Sequence, residues 1–456
     1  MDMTRGKPLS LLVRFALPLM AGNICQQLYT MVDTAIVGTG VGVEALASLG
    51  AADWLNWMIL GIATGFTQGF SIMISQAFGA KDERKLNRAV AMSLILSIVL
   101  SLGTSILALL LLKPVLLLLN TPDNVIGGSI AYLRVMFSGL IVTMMYNLFS
   151  AILRSFGDSR TPLIAMVIGS LTNIVLDMLF VFQFSWGITG AAVATVIAQV
   201  LAALYCLKYV LKLPLIVWRK ETFQFHFGVL KQLLRLGFPV AFQNIIISVG
   251  GLVVQYVVNG YGFIFIAGFT ATNKLYGLLE FAAVSYGYAI ATYCGQNLGA
   301  NKIQRIKQGV HTAVRLSLVT SLVISLVMIV GGKNILTLFV SSSAIEKAEV
   351  LLVAYRYLFI MAIFLSVLFL LHIYRSSLQG MGDTVIPMVS GIVELVMRVG
   401  VALLLPLVIG ELGIFFAEIV AWFGAAVILM VSYYRKMRLF PNIPEDFEQT
   451  ADSVEI

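Results

Sequence analysis

Apolar runs of about 20 residues or more recur along the whole of this chain, and membrane-spanning helices are what such runs build. A bilayer core offers the backbone no water, so a spanning segment is either a helix or a strand of a closed barrel. Barrel strands are about ten residues of alternating polarity. The runs here are continuous, as in 94–112. Only 11% of the 456 residues are charged, 59% are hydrophobic and mean hydropathy is +0.96. A globular chain carries about 25% charged residues. The expected fold class is therefore an all-α integral membrane protein. Twelve spans begin near Leu11, Ala51, Leu86, Ile130, Pro162, Thr189, Leu233, Ala267, Gly309, Leu351, Val385 and Gly413.

The basic residues sort the connections. Arg5, Lys7 and Arg14 precede the first span; Lys81, Arg84, Lys85 and Arg88 follow the second. Arg154 and Arg160, then Lys208 to Arg235, then Lys302 to Lys307, Arg375, and finally Arg435 to Arg438 continue the same set. The opposite connections hold Lys113, Lys333 and Lys347. By the positive-inside rule both termini are expected in the cytoplasm and the number of spans is even. The net charge of +8 is thus an orientation signal, and a nucleic-acid partner is not expected. The first span runs past signal-peptide length with no small-residue cleavage site, so it is expected to be retained. Cys25, Cys206 and Cys294 sit in apolar surroundings without metal-site spacing and read as small buried hydrophobes.

Within this apolar frame, 18–38 carries Asn23, Gln26, Gln27, Thr30, Asp33 and Thr34. On a helix these positions recur every three or four residues and form one polar stripe. A second stretch repeats the device with Asn173 and Asp177 four residues apart. A carboxylate inside a membrane marks an ion or proton site by default. Two such carboxylates in one low-dielectric site cannot both stay charged, so they are read as a site that loads and releases H+ or Na+. The alternatives are pairing with a base or capping of a broken helix. Asn173, Thr195 and Tyr132 would add neutral oxygens.

The two halves repeat. Arg14 to Pro18 pairs with Arg235 to Pro239, and Asn23 with Asn244, at an offset of 221. Gln76, Gly79 and Ala80 pair with Gln296, Gly299 and Ala300, at 220. Gly157-Asp158 pairs with Gly382-Asp383, at 225, and Gly187-Ile188 with Gly413-Ile414, at 226. Six spans per repeat insert in the same sense, which makes them parallel repeats, an arrangement typical of secondary transporters. The expected division is an N-terminal six-helix lobe over 1–212, a cytoplasmic linker over 213–231, a C-terminal six-helix lobe over 232–440 and an acidic cytoplasmic tail over 441–456. The linker carries Trp218, Arg219, Lys220, Phe223 and Phe225 and reads as an interfacial anchor. Pro18 and Pro239 are read as hinges, or as ordinary first-turn prolines.

Taken in order, these residues resemble the multidrug and toxic compound extrusion (MATE) family of antiporters over essentially the whole chain. The marks are Pro18 with Asp33, Gln76-x-x-Gly79-Ala80, Tyr132-Leu-Arg134, Arg154-Ser-Phe-Gly157-Asp158, Asn173-x-x-x-Asp177, and Gly187-x-x-Gly190-Ala191-Ala192-x-Ala194-Thr195. The resemblance implies two six-helix lobes around a V-shaped cavity. It also implies exchange of incoming H+ or Na+ for outgoing organic cations. In members with an N-lobe cation site, residues matching Asp33, Asn173, Asp177 and Thr195 surround it, with one matching Tyr132 nearby. Many members carry a glutamate in span seven and an aspartate in span ten. Here span seven has no acid, with Ile247 in that place, and span ten has His372 instead. The ion chemistry is therefore expected in the N-terminal half.

The C-terminal half holds Lys274 and Glu280 in span eight and Glu394 and Arg398 four apart in span eleven. These read as internal ion pairs, or as acids facing a cavity and drawing in a cation. Gln26, Tyr29, Thr30, Glu280 and Glu394 are the candidate substrate contacts, and Asp53, beside Trp54 and Trp57, reads as interfacial. The expected activity is export of organic, mostly cationic, compounds by a monomer in the plasma membrane, with H+ or Na+ as coupling ion and no organic cofactor. The competing reading is a lipid or lipid-precursor flippase, which needs a basic cavity; the cavity candidates here are acidic or neutral. An enzyme is not expected. His226, His311 and His372 are too scattered for a metal-site helix, and no nucleophile elbow or phosphate-binding loop occurs.

Overall fold

The structure, a computed structural model, describes residues 1–119, 121–218, 223–337 and 344–440. Arg219 and Lys220 of the expected linker and the whole acidic tail lie outside the described residues. All regular elements among the described residues are helical. The first half comprises α1 (Pro8–Gly40), α2 (Val43–Gly79), α3 (Glu83–Leu118), α4 (Asp123–Ser138), α5 (Leu140–Ser155), α6 (Arg160–Asp177) and α7 (Gly187–Val210). The second comprises α8 (Phe227–Val258), α9 (Phe263–Gly299), α10 (Ile303–Leu336), α11 (Ala344–Gly380), α12 (Val385–Leu404), the short α13 (Pro406–Ile409) and α14 (Leu412–Leu439).

Ten of these helices are long and apolar enough to cross a membrane, and α4 with α5, bent by 49° where they meet, makes an eleventh span. Helix α9 matches α2 at 37 residues and completes the expected twelve, but it carries Lys274 and Glu280. Most helices start before the apolar runs do, because a helix outruns the hydrocarbon. Thirty-seven residues of α2 measure about 55 Å at about 1.5 Å per residue, against about 30 Å of acyl chain. The exterior is apolar, with Leu110, Leu118, Val330 and Leu407 each at least 70% exposed, as lipid contact requires.

The repeated Gly-Asp motif has a mechanical explanation. Gly157 and Gly382 take left-handed backbone angles, φ 77° and 83°, and end the preceding helix. The next residue then starts a new one. Asp158 Oδ1 accepts from the backbone N–H of Arg160 and Thr161, both at 3.0 Å, and Asp383 Oδ1 from that of Ile386 at 3.3 Å. Each is a carboxylate at a helix start, where free N–H groups point. Asp82 caps α3 likewise through Lys85 N at 2.9 Å.

Two hydrophobic cores form, and two helices are shared between them. Leu12, Phe15, Ala16 and Leu19 of α1 pack into the core of the second half, whereas Ile36 and Val37 pack into that of the first. Helix α8 does the converse: Leu233 and Ala241 join the first core, Val254 and Val258 the second. Pro18, flanked by Ala16 and Leu19 of the second core, and Pro239, flanked by Leu233 and Ala241 of the first, stand well inside their helices, which removes the first-turn reading of both.

The halves meet in a seam that obeys the repeat. Asn23 Nδ2 donates to Ser285 Oγ at 3.2 Å, and Asn244 Nδ2 to the Gly61 carbonyl at 2.8 Å. Gln76 Nε2 donates to the Gly380 carbonyl at 3.1 Å, and Gln296 Nε2 to that of Ser155 at 2.8 Å. The chain before α1 joins this seam: Met3 N donates to Gln296 Oε1 at 2.7 Å and Asn297 Nδ2 to the Met3 carbonyl at 3.1 Å. The start of the expected linker is pinned too, since Val217 N donates to Asn87 Oδ1 at 2.6 Å and Asn87 Nδ2 to the Leu215 carbonyl at 2.9 Å.

At the end of the seam α2 and α9 touch backbone to backbone. A Cβ on Gly79 would lie 1.9 Å from the Gln296 carbonyl oxygen, and one on Gly299 1.9 Å from that of Gln76. Neither helix can carry a side chain there without parting. Gly79→Val is expected to favour conformations with this end open. A cysteine placed at the buried Ser75 should react with a soluble maleimide faster in the Gly79→Val background than in the parent. Equal rates would contradict the closure.

Candidate functional site

Helix α1 packs on α6, and α6 on α7, and this arrangement unites the residues picked from sequence. The carboxyls of Asp33 and Asp177 face each other within hydrogen-bonding reach. Asp177 is wholly buried and is the last residue of α6; immediately after it the helix widens into a π turn, Met178–Gln183. Such turns recur at functional sites. One turn earlier the buried Asn173 donates through Nδ2 to Thr195 Oγ1 at 3.2 Å. Thr195 Oγ1 in turn donates to the Ala191 carbonyl at 3.0 Å.

Few donors reach these oxygens. Asp33 Oδ1, both carboxyl oxygens of Asp177 and Asn173 Oδ1 are buried and accept no hydrogen bond from the described residues. The half-buried Tyr29 and the buried Tyr132 lie within electrostatic reach of both carboxyls. The five expected site residues are therefore together, and Tyr29 joins them. Gln26 and Thr30 are exposed, with Thr30 Oγ1 bound to the Gln26 carbonyl at 3.0 Å. Asp53, read from sequence as interfacial, is exposed and lies within electrostatic reach of Asp33 and Lys274. The repeat held the signal, since an offset of 221 maps Asp53 onto Lys274.

The second half is built differently. Arg375, counted with the loop bases, is buried within α11 and bonds Glu394. Arg398 Nη2 sits 2.8 Å from Glu418 Oε2 and 4.0 Å from Glu394 Oε2, and its Nη1 donates to the Ile247 carbonyl at 3.3 Å. Glu394 is thus enclosed and paired, which corrects its reading as a cavity-facing substrate contact. The sequence pairing of Glu394 with Arg398 is also secondary: each has a closer partner on another helix. Glu418 was missed, although an acid within span twelve was itself a signal. Glu280 remains half-exposed, with His372 Nε2 3.8 Å from its Oε1. A small cleft lies at the seam, lined among others by Gln68, Ser75, Arg154, Tyr288 and Gln379; none of the carboxyl residues lines it.

Two repeats of membrane helices with ionisable groups held inside them form the scaffold of a secondary transporter. A sequence model of the MatE family matches the chain twice, over residues 18–179 and 239–404, the matches starting at Pro18 and at Pro239. The chain is 30% identical over 360 residues to the probable multidrug resistance protein YoeA of Bacillus subtilis, covering 76% of this chain and 75% of that protein. It is 28% identical over 393 residues to the probable multidrug resistance protein NorM of Thermotoga maritima, covering 83% and 81%. An outward-facing multidrug resistance MATE transporter superposes with a TM-score of 0.88 at 24% identity, over 96% of this chain and 97% of that one. A MOP superfamily transporter from Pyrococcus furiosus superposes at 0.90 with the same identity and coverage. The chain belongs to the MatE family, whose members are multidrug efflux transporters and not enzymes.

Breaking a buried ion pair strands a charge and costs about 3–5 kcal/mol, whereas replacing both partners by apolar groups is often neutral. Arg398→Met should therefore lower Tm in detergent, and Arg398→Met with Glu418→Leu should recover much of the loss. A double variant as unstable as the single one would contradict the pairing.

Proposed function

We propose that this chain exports organic cations in exchange for incoming H+ or Na+, and that Asp33 and Asp177 hold the coupling ion. The observation that carries the reading is the pair of facing carboxyls, Asp177 buried and Asp33 half-buried, whose buried oxygens lack donors among the described residues. Three of the four oxygens are buried and unpaired, so the site gains from one small cation and loses from none. A shared proton bridges the two groups. A Na+ ion finds the carboxyls together with Asn173 Oδ1, all hard oxygen ligands. Thr195 and Tyr132 complete the surroundings, and Asn173 is held in orientation by its bond to Thr195.

Coupling follows from the place of the site. Asp33 lies on α1, which contributes to both cores, so a change of charge there alters a helix whose packing involves both halves. The halves, taken as lobes over 1–212 and 232–440 with Pro18 and Pro239 as their hinges, exchange between openings to either side. The basic residues gather at the end that carries both termini, which supports a cytoplasmic placement of that end in the plasma membrane. Substrate cations are drawn by the acidic groups between the lobes, Asp53 and Glu280 among them.

The test is dye efflux from everted vesicles, run with a proton gradient and with a sodium gradient. One gradient is expected to drive export and so to identify the ion. Asp33→Asn and Asp177→Asn are each expected to abolish coupled export while the protein inserts at parental levels. Asn173→Ala is expected to weaken it at least severalfold. Parental export by either aspartate variant would overturn the assignment.

A further inference from the structure

The small cleft at the seam lies where the two repeats meet their own counterparts. Arg154 and Gln379 both line it, and they correspond at the offset of 225. Gln68 corresponds to Tyr288 and Ile72 to Thr292, at 220, and all four line it too. The cleft therefore sits on the axis that relates the halves, and a group held in it touches both at equivalent places. Helices α2 and α5 supply one wall, α9 and α11 the other. It lies toward the end of the bundle that Gly79 and Gly299 close.

Charge breaks the symmetry. Arg154 has a neutral glutamine as its counterpart, and no residue lining the cleft is acidic. Arg154 is half-buried, and no carboxylate among the described residues lies within 4.0 Å of it. Asp158, the acid nearest to it in sequence, is spent on the start of α6. The guanidinium lies over the Tyr288 ring, 4.7 Å from its centroid. A guanidinium keeps its N–H donors in its own plane, and none of them bonds a described residue. Ser75 and Thr292 are buried in the same lining, and neither hydroxyl bonds a described residue. The glutamines are engaged in a chain that crosses the seam. Gln68 Nε2 donates to Gln379 Oε1 at 3.2 Å, and Gln379 Nε2 to Gln243 Oε1 at 3.3 Å. A positive charge and two buried hydroxyls with unspent donors, gathered in one cleft, call for a negatively charged acceptor. The space is small, enough for about one water-sized particle.

We propose that this cleft binds one small inorganic monoanion, of the size of chloride, between Arg154 of the first half and Thr292 of the second. Arg154 supplies the charge, and the Thr292 and Ser75 hydroxyls supply neutral donors. The Tyr288 ring backs the guanidinium and keeps its edge toward the cleft. A carboxylate-bearing molecule needs more room than the closed seam leaves. Because the donors come from both halves, the anion is held only while this end is closed. It therefore favours the conformation closed here, and it is released when the halves part. The inference does not rest on the carboxyl pair of the first half or on the identity of the coupling ion.

The test is the melting temperature of the purified full chain in detergent, with sodium gluconate exchanged stepwise for sodium chloride. Constant Na+ and pH leave the Asp33–Asp177 pair as it was, so failure here is separate from failure of the export assays. Chloride is expected to raise Tm by about 2 °C and then to saturate. Bromide should act as chloride does. Arg154→Gln should lose the shift. Thr292→Val, which keeps every charge, should keep the parental Tm in gluconate and weaken the apparent chloride affinity about threefold or more. Crystals grown in bromide should show an anomalous scattering peak between Arg154 and Thr292. A parent protein whose Tm ignores chloride, a shift that persists undiminished in both variants, or bromide crystals without a peak in the cleft would each overturn the proposal.

Discussion

Two carboxyl groups on different helices cannot face each other inside a membrane bundle as two bare anions. Like charges about 4 Å apart repel by about 4 kcal/mol even at an effective dielectric constant of about 20. Each also carries a desolvation cost of several kcal/mol. Asp33 and Asp177 meet without donors to offset these terms, so a cation must be taken up or one group must be neutral. That requirement ties the chemistry to the fold. Asp177 is the last residue of α6, directly before the π turn, and Asp33 sits on a helix that contributes to both hydrophobic cores.

The repeat organises the bundle, and the chemistry departs from it. Seam contacts come in matched pairs: Asn23 with Asn244, Gln76 with Gln296, Gly79 with Gly299. The carboxyl pair has no counterpart. The repeat offsets map Asp33 onto Val254 and Asp177 onto Ala402, both buried and apolar. The second half instead ties its acids to Arg375 and Arg398, on helices whose first-half equivalents carry no such cluster. A symmetrical scaffold thus holds two unlike electrostatic centres, one a carboxyl pair and one a cluster of acids tied to arginines.

Much of this was legible in the sequence. Continuous apolar runs fix the class, because a bilayer permits few backbone solutions, and the polar stripe of α1 with the Asn173–Asp177 spacing located the buried pair. Backbone matters at its own positions were legible too: the repeated Gly-Asp reads directly as a left-handed turn followed by a helix cap. Pairings between helices were not. Arg375 stands near the end of its span and looks like a loop base, yet the helix runs on to Gly380 and buries it against Glu394. The i, i+4 spacing of Glu394 and Arg398 suggested a mutual pair, but a closer tertiary partner outcompeted the local one at each end.

Infrared difference spectroscopy of the purified protein reads the protonation of the Asp33–Asp177 pair directly, through the carbonyl stretch of a protonated carboxyl group. A band that disappears when pH is raised or Na+ is added, and that is missing from both Asp33→Asn and Asp177→Asn, is the predicted result. The same band surviving unchanged in both variants would place the exchangeable cation elsewhere and contradict the assignment.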